Sequence, residues 1–104
     1  MYMKRLITGM VGAGLVLASV FGTTTAASAT VAYPEGGTWD YGVRWLGGSN
    51  EQAYSDYHHN KRVHKSTACS TAACTVSAWM QVNRWALSTR PASLWGNSFY
   101  YDVR

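Results

Sequence analysis

Ala53-Tyr54-Ser55-Asp56-Tyr57-His58-His59-Asn60-Lys61-Arg62-Val63-His64-Lys65-Ser66-Thr67-Ala68-Cys69 holds all three histidines and three basic residues of the chain in one short span. Its pattern has a period of two. Tyr54 and Asp56 fall on one side, Ser55 and Tyr57 on the other. After the polar break His58-His59-Asn60-Lys61, Val63, Lys65, Thr67 and Cys69 alternate with His64, Ser66 and Ala68. A period of two is that of a strand, not a helix. The stretch therefore reads as two extended arms. Their short polar connection points to a hairpin, although it lacks the Asn-Gly dipeptide that marks the tightest ones. A run of charge is ordinarily a solvated face, so a solvated basic hairpin is the plain reading. A ligand-binding face is the alternative.

Extended grammar continues outward from this stretch. Upstream, Trp39, Tyr41, Val43 and Trp45 alternate with Thr38, Asp40, Gly42 and Arg44, a half-buried strand that Gly47-Gly48-Ser49-Asn50 breaks. Residues 30–38 read as an irregular lead interrupted by Pro34 and Gly36-Gly37. Downstream, Cys74, Val76, Ala78, Met80 and Val82 alternate with Thr75, Ser77, Trp79 and Gln81. If Cys69 ends one strand and Cys74 begins the next, Thr67 faces Val76, Lys65 faces Ala78 and Val63 faces Met80. Arg90-Pro91 marks a turn, and Ser98-Phe99-Tyr100-Tyr101 is a last extended segment. No amphipathic helix is visible. Five or six short strands separated by turns predict an all-β fold, a small antiparallel β-sandwich.

The N-terminus has a different character. Lys4 and Arg5 precede an uncharged, Leu-, Val-, Ala- and Gly-rich run from Leu6 to Phe21, and Ala27-Ser28-Ala29 is a small-x-small site. This is the pattern of a cleaved secretory signal peptide, residues 1–29, with cleavage after Ala29 or, as an alternative, after Ala32. The apolar run is short for a spanning helix, which needs roughly 20 residues, so the expected product is free outside the cell with no stable membrane insertion.

Removing the signal leaves 30–104 as one small domain of 75 residues, with seven basic and five acidic side chains, a formal charge of +2. That balance gives no argument for nucleic acid. A domain of this size has a marginal core. It is poor in aliphatic residues but keeps twelve aromatic rings, each able to bury roughly 150–250 Å². Most of these rings are expected to be core. On a secreted chain Cys69 and Cys74 are expected to pair. Their loop is short, so the bridge pins register more than it stabilises.

Chemistry is sparse. There is no Gly-x-Ser-x-Gly motif, no nucleophile beside a base, and no recognised metal spacing among His58, His59 and His64. No catalytic residue, metal or cofactor is expected, and the chain does not read as an enzyme.

The motifs together carry a resemblance. A secretory signal is followed by Gly36-Gly37-x-Trp39-x-Tyr41-Gly42-Val43. Next come Ala53-Tyr54-Ser55-x-Tyr57-His58-His59 and His64-x-Ser66-Thr67, and the chain closes with Ser98-Phe99-Tyr100-Tyr101. The order resembles the lactococcin 972 family of bacteriocins over almost the whole mature chain. The Tyr-Ser-x-Tyr-His-His block and the Ser-Phe-Tyr-Tyr end are the specific parts. The resemblance implies an unmodified, non-pore-forming β-sandwich secreted by a Gram-positive producer. It implies binding of the cell-wall precursor lipid II, a block of septum growth in related bacteria, and a dedicated export-type immunity system in the producer. The Cys69–Cys74 pair departs from it, standing where the family often has a longer cysteine-free loop. A pyrophosphate takes Lys, Arg and polar donors, and a sugar takes an aromatic platform. The candidate ligand-binding set is therefore Tyr54, Tyr57, His58, His59, Lys61, Arg62, His64 and Lys65. Two other readings stay open: a secreted wall-binding or structural module without killing activity, and a small secreted hydrolase or metalloprotein.

Overall fold

The computed structural model describes residues 4–8 and 28–104. Eight strands are found there: β1 (Lys4–Thr8), β2 (Ser28–Ala32), β3 (Thr38–Gly47), β4 (Asn50–His59), β5 (His64–Cys69), β6 (Cys74–Val76), β7 (Arg84–Pro91) and β8 (Ser98–Val103). They form two four-stranded antiparallel sheets, ordered β1-β8-β5-β6 and β2-β3-β4-β7. The only helical element among the described residues is a short 3-10 turn at Pro34–Gly36. The expected all-β sandwich is the observed architecture.

The core lies between the sheets and is aromatic. Trp39, Tyr41, Ala53 and Tyr57 face inward from one sheet; Ala68, Phe99, Tyr101 and Val103 face them from the other. Rings meet across the gap, Trp39 on Tyr101 at 5.0 Å, Tyr41 on Phe99 at 5.5 Å and Tyr57 on Tyr101 at 4.9 Å between centroids. Serines tie the layers as well. Ser55 Oγ accepts the indole N–H of Trp39 at 2.9 Å and donates to the carbonyl of Tyr100 at 3.0 Å. Ser66 Oγ lies 3.0 Å from both Ala86 O and Ser88 Oγ. These bonds satisfy hydroxyls that burial would otherwise penalise.

Several sequence expectations are corrected. The 53–69 stretch does form two strands, but β4 and β5 belong to different sheets, so the connection at 60–63 is a corner of the sandwich and not a hairpin. The reason is that both arms bury side chains: Tyr57 and His59 on one, His64, Ser66 and Ala68 on the other. Two half-buried strands joined by four residues can fold back face to face. Hairpins do form at β3–β4, closed by Gly47 and Gly48 at positive φ, and at β5–β6, closed by the Cys69–Cys74 bridge.

The pairing of Cys69 with Cys74 and of Thr67 with Val76 is as expected. Beyond it the ladder slips. Lys65 does not face Ala78, nor Val63 Met80; pairing resumes as His64 with Met80. Ser77 causes the break by taking the Ser66 N–H on its side-chain Oγ at 3.0 Å, a bulge-like irregularity. The strand expected through Val82 thus ends at Val76. Arg90 and Pro91 end strand β7 instead of forming a turn, and Pro91 is accommodated because β7 is an edge strand. The lead at 30–38 starts as strand β2. Of the expected signal peptide 1–29, residues 1–3 and 9–27 lie outside the described residues.

Candidate functional site

The corner between β4 and β5 is built around His59. Its Nδ1 accepts the backbone N–H groups of Lys61 at 3.0 Å and Arg62 at 3.1 Å. The proton of a neutral ring then sits on Nε2, which donates to the carbonyl of Glu35 at 2.8 Å. The imidazole acts as a buried cap that shapes the corner backbone and pins the Pro34–Gly36 turn onto it. Tyr57 adds a second pin, its hydroxyl donating to Pro34 O at 3.0 Å. Burial pushes the Tyr57 phenol well above its ordinary value, with the nearby Tyr101 and Glu35 adding to the shift. Gly37 is required here: a Cβ would stand 2.6 Å from both His58 O and the Tyr57 ring.

His64 is fully buried beneath the corner. Nδ1 lies 2.7 Å from Arg62 O, and Nε2 lies 2.6 Å from Arg84 O.

On this frame stand the exposed cations. Lys61 and Arg62 project from the corner. Arg62 reaches Glu35 Oε1 at 3.7 Å and donates through Nε to Arg104 O at 3.4 Å. Lys65 and Arg104 both stack on Trp79, at 4.7 and 4.3 Å from the ring centroid, a cation–π arrangement. The half-buried His58 ring lies against Trp85 at 5.1 Å.

Of the eight candidates, the structure therefore gathers seven at or beside the corner but sorts them by depth. His58, Lys61, Arg62 and Lys65 reach solvent. Tyr57, His59 and His64 are buried supports. Tyr54 is apart from them, buried on the outer face of its sheet, where its hydroxyl donates to Asp40 at 2.9 Å and Arg44 lies 3.9 Å over its ring. Neither Tyr54 nor Tyr57 is thus a solvent-facing sugar platform. The residues that the sequence reading did not include are Glu35, Trp79 and Arg104. They are remote in sequence, and only the sheet order brings them to the corner.

At the opposite end of the sandwich a shallow groove of about 640 Å³ runs between the β3–β4 hairpin and the β7–β8 loop, with Trp45, Ala92 and Leu94 among its walls. Among the described residues no three His, Cys, Asp or Glu side chains are grouped to hold a metal ion. None of the described helices is long and apolar enough to cross a membrane.

The chain is a small two-sheet β-sandwich with a basic corner and a disulfide-closed hairpin. Its family is given by comparison: the model of the Lactococcin_972 bacteriocins matches residues 35–101, and the chain belongs to that family. The match takes in β3 to β7, the corner and most of β8. It is a family of bacteriocins. No curated protein and no solved structure matches the chain.

Proposed function

We propose that the mature chain, exported from a Gram-positive producer after removal of residues 1–29, stops wall growth in related bacteria by binding lipid II. The observation that supports this reading is the corner: two adjacent exposed cations, Lys61 and Arg62, on a backbone that the His59 ring holds in place. Fixed cationic donors suit a pyrophosphate, since little ordering is left to occur on binding. Lys65 and Arg104, held over Trp79, extend the positive surface. The Arg62–Glu35 contact is partly exposed and long, so it competes weakly with a doubly charged ligand. The producer is protected by an export-type immunity system.

Calorimetric titration of the mature protein with lipid II, and with a precursor lacking the pyrophosphate, tests the proposal. The first is expected to bind and the second to bind at least about tenfold more weakly, the scale of one charged contact. Lys61→Ala/Arg62→Ala is expected to lose the difference while keeping the native circular dichroism. Equal binding of both ligands, or full activity of the double variant in a spot assay, would reject the corner as the site.

A further inference from the structure

We infer that the end of the sandwich opposite the corner is a docking surface for the interfacial zone of a lipid bilayer. Three connections meet there: the β3–β4 hairpin tip, the disulfide-closed β5–β6 loop and the β7–β8 loop. Their sequences, 45–50, 70–73 and 92–97, contain no charged residue. The connections at the other end carry Glu35, Lys61 and Arg62. The two ends therefore differ in kind.

The two most exposed large apolar side chains, Leu94 at 95% and Trp95 at 75%, stand at the uncharged end, with Trp45 at 63% and Leu46 at 56% beside them. Tyr33, at 72%, stands alone at the other end, and Leu87, at 60%, lies on the outer face of β7. The four at the uncharged end sit on or beside loop tips, where they can enter a soft surface to a shallow depth. Two tryptophans and two leucines match the interfacial zone, which favours amphipathic rings. The nearest charges are Glu51, which pairs with Trp45 across the ladder and lines the groove with Leu94, and Arg90, which lines a second hollow with Leu46. Both lie on the strands and not in the three connections.

The platform is held in shape before any contact. The Trp45 indole donates to Gly48 O at 2.9 Å. Ser93 Oγ accepts the Thr71 N–H at 3.0 Å, tying the β7–β8 loop to the disulfide-closed loop. Asn97 accepts the Ser93 N–H at 2.8 Å and donates back to Ser93 O at 2.9 Å. Presenting these side chains to a bilayer thus costs little ordering. The docking is peripheral.

Ten-residue strands β3 and β4 separate this end from the corner, roughly 33 Å at about 3.3 Å per residue. One molecule cannot bring both ends to the same membrane-anchored headgroup at once. Docking and precursor capture are therefore alternative poses, and the inference stands without the proposed function.

Vesicles of pure phosphatidylcholine, with no precursor and no net charge, isolate the first pose. The mature protein is expected to co-sediment with them, with a blue shift in tryptophan emission that persists at high salt. Leu94→Ser/Trp95→Ser should weaken this binding about tenfold or more with unchanged circular dichroism. Lys61→Ala/Arg62→Ala should bind the vesicles as the parent does. Three results would overturn the inference: no co-sedimentation, binding that survives the Leu94/Trp95 variant, or vesicle-free self-association abolished by that variant, which would make a second copy the occupant.

Discussion

His64 Nε2 lies 2.6 Å from the carbonyl oxygen of Arg84, joining a strand of one sheet to an edge strand of the other. The same ring meets Arg62 O through Nδ1. It packs on Tyr57 at 5.7 Å. A residue whose type suggests a ligand contact is here a buried tie between layers.

His64→Ala is accordingly expected to destabilise the fold by about 2–4 kcal/mol. It leaves a cavity beside Tyr57 and removes the ring N–H that a neutral imidazole donates to one of the two carbonyl oxygens. Urea denaturation of the variant measures it. Lys61→Ala, at an exposed position, should stay within about 0.5 kcal/mol of the parent.

This contrast marks how far the sequence was legible. The period-two pattern located both arms, because alternation reports burial on one face, but it placed the break at residues 58–61, whereas β4 runs on to His59 and β5 begins at His64. It did not tell which sheet each arm joins: a corner and a hairpin have the same short polar connection. Imidazole and phenol side chains are equally ambiguous. His59 and Tyr57 suit a binding face or a satisfied interior, and only their bonds to the 35 and 34 carbonyls decide. Strand β7 was hidden because Trp85, Leu87 and Thr89 on its outer side are themselves exposed and largely apolar, so its polar-apolar alternation is blurred. The disulfide was legible from the spacing of two cysteines five apart taken with the expected secretion signal, since such a pair has few other uses outside the cell.

Replacing both Cys69 and Cys74 with Ala should lower stability by about 2 kcal/mol, the loop-entropy value for so short a loop. The β5–β8 ladder still holds β5 in register over six pairs. Thermal unfolding followed by circular dichroism should show a folded protein with a reduced Tm. An unfolded variant would mean that the bridge carries the β6 edge and with it the fold.

Asp56 predicts a pH dependence. Burial pushes its carboxyl up to about 6, opposed by Arg44 at 3.9 Å and reinforced by the like charge of Asp40 directly across the ladder. Between the ordinary value of 3.8 and about 6, the folded protein binds more protons than the unfolded chain. Stability from this group is therefore full below that window and is lost as pH rises through it. Asp56→Asn should raise stability at pH 7 by on the order of 1–2 kcal/mol, and the gain should vanish near pH 4. Urea midpoints of both proteins across this range measure it.

The mature N-terminus is the last test, and it turns on β2. Cleavage after Ala29 keeps Thr30, Val31 and Ala32, which pair with Tyr41, Asp40 and Trp39. Ala32 packs against the core cluster, and Trp39 and Tyr41 are among its largest rings. Cleavage after Ala32 removes the whole β2 ladder and leaves β3 as an open edge beside those rings. A protein starting at Thr30 should therefore be more stable than one starting at Tyr33 by about 1–3 kcal/mol, the net worth of two or three ladder hydrogen bonds and the partly buried methyl group of Ala32. Gly42 sharpens the test. Its φ is +148°, and a Cβ there would collide with the carbonyl oxygen of Ser28, a residue that cleavage after Ala29 removes. Gly42→Ala should thus cost more in the uncleaved chain than in the protein starting at Thr30. Intact mass of the secreted product, with urea denaturation of the two shortened forms, measures both effects. A product mass beginning at Tyr33, with stability equal to the longer form, would show that β2 contributes nothing to the mature fold.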